Sequence, residues 1–216
     1  TPDNVARQVA NAHTIFNVVI TIFILPISKY FVMLVNHILP DDEGKESCGA
    51  IYLDKKLLET PIVASGQVIK ETIRMANKAK NNLELAMEVF LNWNEEKMKK
   101  VYENESIINT LERDITEYLI ELSQHNLPEE NAKLVSQAYH TINDIERIGD
   151  HAENIVELAI QKYENNITLS YDGYKEVRQL FEVTLRSITI AIESFKSNEI
   201  SDDEVEKVEE EIDSLE

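Results

Sequence analysis

The sequence is short of cysteine, glycine, proline and positive charge, and each shortage excludes something. A single cysteine, Cys48, rules out an intrachain disulfide and suits a reducing compartment. Five glycines and five prolines in 216 residues, with no regular apolar–polar alternation, leave little material for hairpins or sheets. The fold class expected is therefore all-α. Bases are outnumbered by acids, 21 to 40, for a net charge of −19. Such a surface repels nucleic-acid phosphates and anionic lipid heads, so no nucleic-acid partner is expected. Metal ions or a basic protein surface suit it better. A Gly-rich phosphate loop, a nucleophile elbow and a zinc-type Cys/His spacing are all missing, and the chain is not expected to be an enzyme. A di-iron oxidase also fails on spacing, because it needs Glu-x-x-His pairs and His151 lies five residues after Glu146.

The acids are unevenly spread. Residues 1–40 hold only Asp3, against Arg7 and Lys29, and the remainder carries a net −20. From Thr14 to Ser28 there is no charge, and Ile15, Phe16, Val18, Val19, Ile20, Ile22, Phe23, Ile24 and Leu25 cover the whole circumference of a helix. That pattern predicts a transmembrane helix within 14–39, kinked at Pro26, with a buried soluble helix as the other reading. With Thr1 in place of a start methionine, a fragment or a processed chain is expected. Residues 40–50, polar and holding Gly44 and Gly49, form a boundary loop.

The periodicity after the loop predicts long helices over about 62–93, 95–125, 128–164 and 174–196, then a fifth from Ser201, a candidate N-cap, to the end of the chain. The third has a sustained seam of Val135, Ala138, Ile142, Ile145, Gly149, Ala152, Val156 and Ala159. The second has a matching seam of Val101, Ile108, Leu111, Ile115, Tyr118 and Leu122. Such seams pack at the shallow angles of a bundle. Beside each runs a polar stripe. On the third helix it is Asn143, Glu146, Asp150, Glu153 and Glu157; on the second it is Tyr102, Glu105, Asn109, Glu112 and Thr116. Glu146 and Asp150 stand one turn apart on one face, so their hard oxygen donors can share a metal ion or bridge two. Packing the seams brings Glu105 and Asn109 toward them. The expected cofactor is a divalent or trivalent metal ion: iron, zinc, manganese, magnesium and calcium all accept such oxygens. A solvated acidic edge, partly offset by Arg113 and Arg147, is the alternative.

A shift of 104 residues aligns 94–112 with 198–216, with seven of nineteen positions identical, among them Val101/Val205, Glu105/Glu209 and Ile108/Ile212. Helices four and five therefore restart what helices one and two began, as two tandem three-helix bundles with the second incomplete. Glu209 and Asp213 would be half of a second carboxylate site. Phe181, Leu185, Ile188, Ile192 and Phe195 would lack a partner helix, which predicts self-association or a frayed C-terminus beyond about Asp202.

Three segments carry a resemblance. Glu146-Arg147-Ile148-Gly149-Asp150 matches the E-R-I-G-D signature of PhoU domains, helical modules of bacterial phosphate regulation. Ala10-Asn11-Ala12-His13-Thr14-Ile15-Phe16-Asn17 is similar to the A-x-A-H-T-x-F-N segment leading into the last membrane helix of bacterial sodium/phosphate cotransporters. Tyr52-Leu53-Asp54 through Leu57-Leu58-Glu59-Thr60-Pro61 resembles the lead-in joining transporter to PhoU domain in that family. The resemblance implies a transporter tail in 1–40, a linker in 41–64 and a truncated PhoU-like domain in 65–216. It also implies metal binding, a regulatory role, and a partner in the remainder of a sodium-dependent phosphate transporter. The location implied is the bacterial inner membrane, with the helical domain facing the cytoplasm. A free-standing PhoU-like regulator acting by protein contact is the alternative, against which the apolar run speaks.

Overall fold

The computed structural model describes residues 10–24, 49–197 and 202–214. The chain divides into two compact units, Thr1–Glu46 and Ser47–Glu216. In the first, residues 10–24 are helical (α1) and exposed throughout. Asn17 and His13 are one turn apart on this helix and hydrogen-bond each other, Nδ2 to Nε2, at 3.1 Å. Among the described residues no helix is long and apolar enough to cross a membrane. Of the span expected within 14–39, residues 25–39 lie outside the described residues, as do residues 40–48 of the loop.

The second unit holds five long helices: α2 (Pro61–Leu91), α3 (Glu95–Ser123), α4 (Glu129–Glu164), α5 (Tyr171–Ser197) and α6 (Asp202–Asp213). No strand occurs among the described residues. Each start has a local cause. Pro61 opens α2, where its missing N–H costs nothing. The Asn94 side chain accepts the Lys97 N–H at 2.9 Å, with Glu95 and Glu96 in the first turn of α3 favouring its positive end. Pro128 stands at the N-cap of α4, one position before its first residue, Glu129. Helix α5 begins three residues earlier than the periodicity predicts. The cause is Ser170, whose Oγ accepts the Gly173 N–H at 3.0 Å and carries the helix back over Gly173. The expected N-cap Ser201 lies outside the described residues, and α6 ends at Asp213.

Helices α2, α3 and α4 form an up-down-up bundle. All eight residues of the α4 seam are buried, and so are all six of the α3 seam. Ile108, Leu111 and Ile115 are wholly enclosed. Burying an aliphatic side chain of that kind contributes about 1.5–3 kcal/mol. Residues 49–60 lie along this bundle, with Leu58 buried and Leu53 and Leu57 packed on the core. Helix α5 packs on α2, and α6 packs on α5.

The second half adds detail to two expectations. Phe181, Leu185 and Ile188 pack in part on the core cluster of Leu83, Ala86, Met87, Val101, Ala152 and Val156, and Ile192 on the neighbouring cluster, while all four, with Phe195, stay half-buried. The internal repeat is also not preserved as burial. Val205 is 42% exposed, whereas its counterpart by the repeat, Val101, is fully buried; Val208, the counterpart of Asn104, is buried as Asn104 is. Glu209 is exposed. The reason is packing: α3 is held between α2 and α4, while α6 touches α5 alone among the described helices, so its inward face is set by one neighbour.

Candidate carboxylate centre between α3 and α4

The centre begins with a glycine. Gly149 is buried in the middle of α4, where glycine costs about 1 kcal/mol of helix propensity against alanine. A Cβ built there would strike the Glu105 carboxyl group of α3, with Cδ at 3.0 Å and Oε1 at 3.1 Å. The missing side chain is the space in which Glu105 lies.

Glu105 therefore sits in the seam and not beside it. It is only 2% exposed, and neither of its carboxylate oxygens has a hydrogen-bond partner. Burial pushes its pKa from the usual carboxylate range up to about 7, with the charges of Glu153, Asp150 and Glu146 adding to the shift in that order. Glu146 and Glu153 are half-buried. Glu146 is raised by burial, then by Asp150 and Glu112, with Arg147 opposing. Glu153 is raised by burial, then by Asp150 and Glu157. Burial, then Glu153 and Glu157, raises the Tyr102 phenol as well. Several acids thus share one electrostatic environment with one orphaned carboxylate at its base.

Of the four residues expected to form the site, Glu105, Glu146 and Asp150 share this environment. Asn109 is exposed on α3. Glu153, read only as part of the flanking stripe, is the strongest charged influence on Glu105. Among the described residues no group of three or more His, Cys, Asp or Glu is arranged to hold a metal ion as the side chains stand. Like charges drive carboxylates apart, and a cation is what draws them together. The orphaned oxygens of Glu105, in a cradle left by Gly149, fit such an ion chemically.

Two buried polar residues were not expected. Asn82 of α2 donates to the Val101 carbonyl at 3.2 Å and leaves its Oδ1 unpartnered; Asn104 of α3 also leaves Oδ1 unpartnered. With Glu105 they join Ser65, Glu71 and Thr72 as polar residues buried among the described helices. Helical period could have exposed both α3 residues, since Asn104 and Glu105 lie three and four positions after Val101, on its face.

Gly149→Ala measures the close approach. It should destabilise the wild type by about 1–2 kcal/mol, because Glu105 must leave its cradle. In a Glu105→Ala background the same change should stabilise by about 1 kcal/mol, helix propensity then acting alone. Urea unfolding of the four proteins supplies the cycle. Equal effects in both backgrounds would show that the two residues do not compete for space.

Residues 72–159, from α2 to the end of the α4 seam, match the PhoU domain family. The putative inorganic phosphate export protein YjbB of Escherichia coli (strain K12) is 23% identical over 198 residues, covering 91% of this chain and 36% of that protein. Its Shigella flexneri counterpart matches to the same extent. The phosphate-specific transport system accessory protein PhoU homolog of Aquifex aeolicus (strain VF5) is 32% identical over 92 residues, 42% of each chain. The chain spans about a third of the length of the phosphate-export relatives. No solved structure matches. Over residues 72–159 the chain is PhoU-like, and the relatives it resembles carry names from phosphate export and phosphate transport.

Proposed function

We propose that this chain is the regulatory, metal-binding PhoU-like part of a sodium-dependent phosphate transporter of the bacterial inner membrane, with its helical unit in the cytoplasm. One observation carries the attachment to a transporter. Similarity to the phosphate-export relative covers 91% of the chain, whereas the helical unit starts only at Ser47, so the similarity necessarily enters the apolar first unit. A likeness confined to the regulator would stop at the bundle. The direction of transport in the relative's name belongs to that protein; the sodium coupling proposed here rests on the resemblance of residues 10–17.

The helical unit acts by binding and not by catalysis. Glu105, Glu146, Asp150 and Glu153 would hold a divalent or trivalent cation, with Asn109 at the rim. An ion there neutralises carboxylates that repel one another and pins α3 to α4, stabilising the folded bundle by mass action. The reading is tested by phosphate flux into vesicles carrying the whole transporter of which this chain is proposed to be a part, with and without a sodium gradient, alongside elemental analysis of the purified chain. Flux that needs sodium, metal bound to wild type, and loss of that metal in Glu105→Gln/Asp150→Asn support it. Sodium-independent behaviour with no metal in either protein removes it.

A second reading, a free-standing regulator working by protein contact, is supported by the 32% identity over 92 residues to the accessory protein PhoU homolog. It predicts that residues 1–216 remain dispersed in buffer without detergent. The transporter reading predicts that they do not, and that a chain starting near Ile51 does.

A further inference from the structure

Helix α1 is apolar over most of its surface, yet its polar side chains are not scattered. His13, Thr14, Asn17 and Thr21 follow one another at spacings of one, three and four residues and fall within an arc of about 100°. Ile15, Val19, Ile22 and Phe23 occupy the opposite side, and Asn11, in the first turn, is the one polar residue of α1 off the stripe.

The four side chains of the stripe differ in what they leave unspent. Thr14 Oγ1 donates to the Ala10 carbonyl at 2.9 Å, and Thr21 Oγ1 to the Asn17 carbonyl at 2.8 Å. Both hydroxyl protons are used within the helix, which is how threonine is accommodated in apolar surroundings. The His13–Asn17 pair satisfies only half of itself. Asn17 Nδ2 donates to His13 Nε2 at 3.1 Å, so in the neutral ring Nε2 accepts and the proton sits on Nδ1. The Nδ1–H donor and the Asn17 Oδ1 acceptor have no partner among the described residues. Hydrocarbon can satisfy neither group, and polar residues of membrane helices accordingly turn toward protein. Ser, Thr, Asn and Gln side chains each hold a donor and an acceptor at once, and so match the two unspent groups together.

We propose that His13 and Asn17 form the seam by which α1 docks on a neighbouring membrane helix of the same transporter, one presenting a Ser, Thr, Asn or Gln side chain, with Ile15, Val19, Ile22 and Phe23 turned to lipid. The inference rests on the transporter reading above and goes beyond it by assigning the two sides of α1. The chain spans about a third of its phosphate-export relatives, so the bulk of such a protein lies outside it and supplies the partner helix.

The test uses the whole transporter in lipid vesicles. A photo-crosslinking side chain is placed singly at Thr14, Thr21, Ile15, Val19 or Ile22, and the adducts are identified by mass spectrometry. Thr14 and Thr21 should give protein adducts; Ile15, Val19 and Ile22 should give lipid adducts. Asn17→Leu should raise the unfolding constant of the transporter in mild detergent about 3-fold, the average worth of one interhelical hydrogen bond in a membrane. Thr21→Val should leave it unchanged, because that hydroxyl is spent on its own helix. Lipid adducts from the stripe, none from the opposite side, or an Asn17→Leu protein as stable as wild type overturns the seam, while a protein that stays in the membrane leaves the transporter reading standing. A protein recovered in the soluble fraction, with no lipid adduct at any position, removes the membrane reading and the seam together. The fraction in which the protein is found separates the two failures.

Discussion

Replacing Glu105 with glutamine should stabilise the metal-free bundle at pH 7.5 and flatten its dependence on pH. The carboxyl group is buried, its two oxygens lack partners, and its folded pKa stands at about 7 against an ordinary 4.5. Below the unfolded value both states are protonated, and Glu105 costs nothing. Between the two values the unfolded chain has lost the proton and the folded one keeps it, so stability falls as pH rises. Above the folded value both are ionised and the full penalty is present, on the order of 3 kcal/mol. Glu146 and Glu153 are raised too and act in the same direction. The metal-free wild type should therefore be more stable near pH 5 than near pH 7.5. Glu105→Gln should remove most of that slope, and the difference between the two proteins should vanish at low pH. Urea unfolding at several pH values in the presence of a chelator is the measurement. A wild type equally stable across this range would show that Glu105 is solvated or already partnered.

The second large effect is at Glu71. It is fully buried, with Oε1 2.5 Å from Arg74 Nε and Oε2 accepting the backbone N–H groups of Ile51 and Tyr52. Truncation leaves a guanidinium and two amides without their acceptor. Breaking a buried pair from one side costs about 3–5 kcal/mol, and Glu71→Ala should fall in that range. Glu71→Gln keeps an acceptor for the amides and should cost less. The midpoint of urea unfolding should move while its slope holds, since the surface exposed on unfolding scarcely changes. A loss below about 1 kcal/mol would mean that water replaces the carboxylate and that these contacts contribute little.

Sequence periodicity reached a long way into the bundle and then stopped for identifiable reasons. The α4 seam was legible to the last residue because a helix packed on two sides repeats its apolar positions every three or four residues. Glu105 reads as part of the stripe beside the α3 seam, yet it lies four residues after Val101, as Glu71 lies three after Val68, positions that the same period puts on a seam. Their chemistry argued for the surface, since buried acids are rare. For Glu105, what overrode that rule lies 44 residues away at Gly149, and for Glu71 it is the backbone of 51–52; neither contact is local. The start of α5 was missed because Gly173 signals a break, whereas the cap at Ser170 reaches over it. The repeat between α3 and α6 was visible as identity, but burial depends on neighbours, and the two helices have different ones.

By itself the sequence determined the all-α class, the lengths and order of the helices, which faces of α3 and α4 meet, and that an acidic stripe runs beside them. These follow from local period, caps and composition, quantities written within a few turns of each residue. Only the tertiary structure decided that Glu105 enters the core, that Glu153 is its strongest charged neighbour, that Gly149 exists to make room, and that residues 49–52 are clamped between two helices. Those depend on distances between residues far apart in the chain, fixed by how rigid helices pack and not by the spacing along any one of them.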